Sequence, residues 1–341
     1  KYWVQFKDKS NSPYSISNPQ QFLSPRAIAL RQQHHIAIVE NDLPVNPQYI
    51  QQVMALDPKM ILFTKSKWLN GITIYSQQDS IAAEIRKLPC VAFVERTNKL
   101  KEAEPDWHNR YVFSASGAPT IHYQSDVANN QDFDYGKSEE QIRLNNAHWL
   151  HRMGYRGENM LMMVMDGGFI NADTLHFFNQ LRDDNRLLGA RNYVQPQESP
   201  FLRHTHGTMV LSCIASYIPG DLVGTAPMTQ VYLCQTEDAR SETKNEEDNW
   251  VAGLELADSL GCQVLNSSLG YTKFADSTQV RTYKDLNGQV SRASIGATIA
   301  ATKGLLICNS AGNEGDSKWK YIGAPADAKD ILCVGAIGKN R

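Results

Sequence analysis

Leu161-Met162-Met163-Val164-Met165-Asp166-Gly167-Gly168 is the stretch that decides how the rest of the chain reads: five apolar residues, a carboxylate, then two glycines. A short continuous apolar run closed by turn residues suits a strand buried on both faces, and glycines behind the Asp let the backbone turn sharply. Similar runs recur at Val231 to Gln235, Gln263 to Asn266, Leu305 to Asn309 and Ile331 to Val334. Between them, His206 to Ser216, Asp248 to Leu260 and Ala293 to Lys303 carry helical patterns. The alternation predicts an α/β fold, a parallel sheet with helices on both faces. In such sheets chemistry gathers at the carboxyl ends of the strands, where Asp166, Asn266-Ser267-Ser268 and the residues from Asn309 to Asn313 all fall.

Upstream, the first hundred residues mix strand-like runs (Tyr2 to Phe6, Met60 to Thr64, Trp68 to Tyr75, Val91 to Glu95) with helix-like ones (Pro19 to Gln32, Gln48 to Ala55, Asp79 to Leu88). That order predicts a small α+β domain over residues 1–100, of the split β-α-β, ferredoxin-like kind. From Asn98 to about Asp134 the pattern dissolves, which predicts a connection, taken as residues 101–137. The α/β domain is then assigned to residues 138–341. Its first helix is expected over Ser138 to Met153, with Ser138 and Gln141 as a capping box, Ile142, Ala147, Trp149 and Leu150 as contacts, and Gly154 as the stop.

Composition excludes several classes. The 341 residues are 42% hydrophobic, enough for two cores, and 34 basic against 36 acidic side chains leave a net charge of -2. Such a balance lacks the basic footprint that nucleic-acid binding needs. No apolar run reaches the roughly 18 residues of a membrane span. Six cysteines are too sparse for a disulfide scaffold and none has metal-site spacing; most lie in apolar stretches, as at Ile307-Cys308 and Leu332-Cys333-Val334, and read as small buried hydrophobes. No glycine-rich phosphate loop follows any predicted strand, which weakens a nucleotide-binding reading.

Three polar residues stand where chemistry is expected, each with a plainer alternative. Asp166 can orient a histidine, or close a turn. His206, in His206-Gly207-Thr208 at a helix start, can act as a base, or be a satisfied polar group; His204-x-His206 lacks further ligands at metal spacing. Asn313, in Ala311-Gly312-Asn313-Glu314-Gly315, can donate to a developing oxyanion, or be a left-handed turn residue.

Taken together, in the order Asp, His, Asn, these residues resemble the subtilisin-like serine peptidases, the S8 or subtilase family. Val264-Leu265-Asn266-Ser267-Ser268-Leu269-Gly270 resembles the family's substrate-binding strand. Val223-Gly224-Thr225-Ala226-Pro227, Gly323-Ala324-Pro325-Ala326 and Val334-Gly335-Ala336 match further segments. Asp166-Gly167-Gly168 is the looser match, because the family more often has Thr or Ser between Asp and Gly. The resemblance covers residues 150 to 341 and implies His206 as general base, Asp166 as its orienting carboxylate, and Asn313 in the oxyanion hole. It also implies peptide binding along Ser268, Leu269, Gly270, Ala311 and Gly312. By the same resemblance residues 1–100 are a propeptide that assists folding and covers the cleft, with a maturation cut between Asn98 and Asp134. The protein is then a bacterial, secreted or surface-exposed endopeptidase acting on proteins or peptides. Calcium often stabilises this family, yet no ligand set is assigned and no cofactor is certain.

The family's nucleophile lies in a Gly-Thr-Ser sequence well beyond the oxyanion Asn. Here only Ser317 follows Asn313, four residues on in a polar loop, and it is rejected as nucleophile. The expectation is therefore a precursor or fragment, inactive alone, whose serine comes from a C-terminal remainder beyond Arg341, present as further or separate polypeptide. Without it Leu332, Val334 and Ile337 are expected to lie uncovered. The rival reading is a non-catalytic protein that binds extended peptides on the same scaffold. The acidic run Glu237-Asp238 with Glu246-Glu247-Asp248 either favours basic substrates or forms a solvated face.

Overall fold

The computed structural model describes residues 1–98 and 133–338. The connection from 101 to 132, and any maturation cut there, lies outside the described residues.

The N-terminal part runs β1 (Tyr2–Phe6), α1 (Pro25–Gln33), α2 (Pro47–Met54), β2 (Ile61–Ser66), β3 (Gly71–Tyr75), α3 (Ile81–Arg86) and β4 (Val91–Arg96). The strands form one antiparallel sheet in the order β2-β3-β1-β4, the split β-α-β arrangement expected from the sequence. Its core is Val4, Val53, Ile72, Ile74, Ile81 and Ile85, all within 1% of full burial. The expected helix over Pro19 to Gln32 instead begins at Pro25, after a short 3-10 turn. Proline holds the preceding Ser24 extended, and the Ser24 hydroxyl accepts from the Ala27 N–H at 3.1 Å as an N-cap. The expected strand from Trp68 starts only at Gly71, because the Lys67 and Trp68 N–H groups donate to Glu255 rather than to a neighbouring strand.

The second part contains α4 (Glu139–Leu144), α5 (Ala147–Arg152), β5 (Leu161–Asp166), α6 (Asn179–Asp183), β6 (Leu187–Asn192), α7 (His206–Ala215), β7 (Tyr217–Ile218), β8 (Leu222–Val223), β9 (Gln230–Gln235), α8 (Asn245–Leu260), β10 (Val264–Ser267), α9 (Arg292–Thr302), β11 (Leu306–Ser310) and β12 (Leu332–Val334). Six strands, β12-β11-β10-β5-β9-β6, form an all-parallel sheet. Alternate side chains of β5 enter different cores. Met163 and Met165 pack with Trp250, Val251 and Leu254 of α8 and Ala297 of α9, whereas Val164 packs with Leu211 and Ile214 of α7. Helices therefore cover both faces, as the apolar strands predict.

Several expectations need correction. The single helix over Ser138 to Met153 is two, broken at Asn146, which takes a left-handed conformation. Ser138 forms no capping box; its hydroxyl donates to the carbonyls of Tyr135 and Val223 and accepts from the Val223 N–H, pinning α4 to β8. Trp149 and Leu150 are half exposed rather than core, since only Ile142 of the expected contacts is fully buried. Tyr135, placed by sequence in the connection, is wholly buried, with its hydroxyl 2.9 Å from His151 Nδ1. Strand β6 carries no continuous apolar run and was not anticipated. All six thiols are free, but Cys213 and Cys333 are exposed, so the buried-hydrophobe reading holds for Cys90, Cys234 and Cys262 alone. Leu332, Val334 and Ile337 are more than half exposed, as expected. Among the described residues no helix is long and apolar enough to cross a membrane.

The two parts meet through α8 and β2. Glu255 accepts from Ser66 Oγ at 2.5 Å and from the Lys67 and Trp68 N–H groups, while Asp258 accepts from Arg31 at 2.6 Å and Lys67 at 2.9 Å. Asp42 in turn pairs with Arg31 and with Lys303. A second group joins Thr73 and Glu95 of the first part to Asp248, Arg292 and Lys244 of the second. These charges are largely buried, so their mutual pairing is what makes the junction tolerable.

Candidate active site

Asp166 closes β5 at the carboxyl edge of the sheet, fully buried. Its carboxylate receives the Gly167 N–H at 2.7 Å, and both its oxygens lie 2.8 and 2.9 Å from His206 Nδ1. Nδ1 therefore carries the ring proton and donates it, which leaves Nε2 with a free lone pair on a side chain that is 43% exposed. Burial raises the Asp166 carboxyl above the usual carboxylate range, against the opposing pull of the His206 and Gly167 hydrogen bonds. A buried carboxylate fixing one tautomer of a half-exposed imidazole is a general-base arrangement.

The local sequence explains how the pair meets. Gly168 adopts φ +144, where a side chain would strike the Arg203 carbonyl, and the Gly207 N–H donates to Gly168 O at 3.1 Å as α7 begins. A Cβ on Gly207 would stand 2.5 Å from Gly168 O and 2.8 Å from Asp166 Cβ. Gly207→Ala should therefore cost about 1–3 kcal/mol through overpacking and pull the ring off its carboxylate. A urea midpoint within experimental error of the parent would contradict this close approach.

The remaining expected residues lie along the same rim. Strand β10 sits between β5 and β11, with Ser267 in register with both Met165 and Asn309. Ser268-Leu269-Gly270 and Ala311-Gly312-Asn313 therefore leave neighbouring strands on the same edge, one and two strand spacings, roughly 5 and 10 Å, from Asp166. Leu269 is buried, while Gly270, Gly312 and Asn313 are exposed. Gly312 takes φ +104, and the Asn313 N–H donates to Glu314. Ser317 is exposed and its hydroxyl donates to Glu314 O, which suits the expectation that it is no nucleophile.

Sequence reasoning missed a linker between these segments. Asn309, 1% exposed, donates through Nδ2 to both Leu269 O and Ser310 O, tying the Ser268–Gly270 segment to the loop that holds Asn313. A polar residue in an otherwise apolar strand was its one visible signal. The acidic run is also corrected: Glu246, Glu247 and Asp248 are nearly inaccessible rather than a solvated face. Glu247 pairs with Arg281 and Ser291, Asp248 with Arg292 and Thr73, and Glu246 accepts from the Asp238 and Thr243 N–H groups. Among the described residues no group of three His, Cys, Asp or Glu side chains is placed to hold a metal ion.

Residues 92–341 match the Subtilase family, and residues 1–110 match the Peptidase S8 propeptide domain of Bacteroidota. Subtilisin E of Bacillus subtilis is 29% identical over 214 residues, covering 62% of this chain and 48% of the relative. Subtilisin of Bacillus pumilus is 29% identical over 211 residues, covering 61% of this chain and 65% of the relative. The Major intracellular serine protease of Bacillus subtilis is 24% identical over 223 residues, covering 63% and 62%. The chain spans about half the length of the first of these relatives.

Proposed function

From the chain's membership of the subtilase family, which the match over residues 92–341 establishes, we propose that it contributes the base and oxyanion side of a serine endopeptidase acting on peptide bonds outside a bacterial cell. The observation that carries this reading is the His206–Asp166 pair, with Nδ1 committed to the buried carboxylate and Nε2 left open at the sheet's rim. In this role His206 Nε2 takes the proton of a serine hydroxyl as its oxygen attacks the substrate carbonyl, and returns it to the departing amine. Water then hydrolyses the acyl-serine by the same route. Asn313, on the loop after β11, stabilises the oxyanion, and an extended substrate lies along Ser268–Gly270.

In this reading Ser317, the one serine that follows Asn313, is not the attacking residue, since its hydroxyl donates to Glu314 O. The N-terminal domain acts as a propeptide, in keeping with its match to that domain type. The test is reaction of the complete protein with a fluorophosphonate probe. Labelling that disappears in His206→Ala supports the peptidase. Absence of labelling in every preparation, with peptides still bound, would instead make the protein a binder on a peptidase scaffold.

A further inference from the structure

Asn309 places an amide in an otherwise apolar layer. It stands in β11 in register with Ser267 of β10 and, through that residue, with Met165 of β5, so its side chain leaves the sheet on the face that α8 covers. It is buried there. Its amide lies 3.2 Å from Leu269 O and 2.8 Å from Ser310 O. An atom that faces two carbonyl oxygens has to be the nitrogen, and both of its protons are then used. Its Oδ1 is buried and has no partner among the described residues. An apolar side chain would fill the place without stranding an oxygen, so what the position gains from Asn is the pair of donors.

The two carbonyls belong to opposite walls of the cleft. Leu269 is the middle residue of Ser268–Gly270, and Ser310 opens the loop that leads through Gly312 to Asn313. On the first wall the anchors fall on alternate residues: Leu269 O accepts from Asn309, Tyr271 N–H donates to Ala324 O at 2.7 Å, and Tyr271 O accepts from Arg281 at 3.2 Å. Among the described residues nothing bonds the backbone of Ser268 or Gly270, whose groups face the other edge and stay open to an added strand.

We propose that Asn309 is a positioning residue of the reaction, whose two donors fix the setting of the peptide-seating strand against the loop that carries Asn313. This rests on the peptidase reading and deepens it. The attacked carbonyl belongs to a peptide held by the first wall, and the oxyanion it becomes meets its donor on the second, so any slip between the walls is felt where the charge develops. A misplacement of about 1 Å costs about a hundredfold in such a geometry.

The test uses the complete protein. Asn309→Ala removes both donors, and Asn309→Asp keeps the size but supplies at most one. Active molecules are counted by fluorophosphonate titration and folding is followed in urea. Per active molecule, kcat/KM for a peptide should fall about ten- to a hundredfold in both variants, through kcat rather than KM. In an Asn313→Ala background the same changes should cost less than about threefold, because the donor they misplace is already gone. Losses that multiply regardless of Asn313, a change in KM alone, or an unaltered kcat in both variants overturn the inference while the peptidase reading stands. Failure of both variants to fold overturns it as well, since Asn309 then serves stability. If the parent protein neither cleaves peptides nor reacts with the fluorophosphonate, the peptidase reading fails and this inference fails with it.

Discussion

Replacing Asp166 by Asn should lower kcat/KM of the complete protein by about 10⁴-fold while leaving its fold in place. The two side chains are nearly the same size, and the buried position asks mainly for oxygens that accept from His206 Nδ1 and from the Gly167 N–H. Oδ1 accepts from both, while Oδ2 faces the ring alone, so the outcome depends on which place the amide nitrogen takes. If its NH2 group faces the ring, the imidazole must accept at Nδ1 and carry its proton on Nε2, the nitrogen that has to take a proton from the attacking serine. If its oxygen takes the Oδ1 place it can accept from both the ring and the Gly167 N–H, but the NH2 group is then set against the Nδ1 proton and the negative charge that stabilises the imidazolium is still gone. Both orientations damage the base without opening a cavity. Steady-state kinetics alongside the rate of fluorophosphonate labelling would measure it, and a loss smaller than tenfold would remove Asp166 from the mechanism.

The architecture was legible where sequence pattern is strong, in the apolar strands and in the helices that begin at His206 and end at Leu260. Element β6 was not, because Leu187-Leu188-Gly189-Ala190-Arg191-Asn192 pairs with only one neighbour at the sheet's edge and has no need of an unbroken apolar run. The helix read across Ser138 to Met153 failed because its apolar spacing carried no sign of the left-handed turn at Asn146. For the site, the glycines flanking Asp166 and His206 were readable, since each permits a contact that a Cβ would obstruct. The fate of the acidic run was not. Whether Glu247 and Asp248 are solvated or buried depends on cations from Arg281 and Arg292, tens of residues away, and on Thr73 in the other domain. No local pattern encodes such pairings.

That long-range pairing bears on the last prediction, the largest expected effect on stability. Among the described residues Asp258, near the end of α8, is the only carboxylate that pairs with Lys67 and one of two that pair with Arg31, and all three side chains are less than 10% exposed. Burial by itself would raise its pKa, but the two cations outweigh burial and hold it below the usual carboxylate range. Asp258→Ala removes one anion and leaves two buried cations short of a partner, a far worse state than the loss of a surface ion pair. The expected cost is about 3–5 kcal/mol, falling on the junction between the domains. Trp68, beside Lys67 and packed into the core of the second domain, makes the loss visible as an early fluorescence transition when the intact chain is titrated with urea. Because the pKa of Asp258 is depressed, its contribution is present at neutral pH and fades as acid titrates the carboxylate below its ordinary value near 3.9. The parent and variant curves should therefore converge in strong acid. Replacing Arg31, Lys67 and Asp258 together with apolar residues of similar volume should restore only part of what the single change removes, since Asp42 keeps Lys303 but buried Glu255 loses the Lys67 charge. A single variant within 1 kcal/mol of the parent at neutral pH would mean that water or a repacked neighbour serves the two cations as well as Asp258 does.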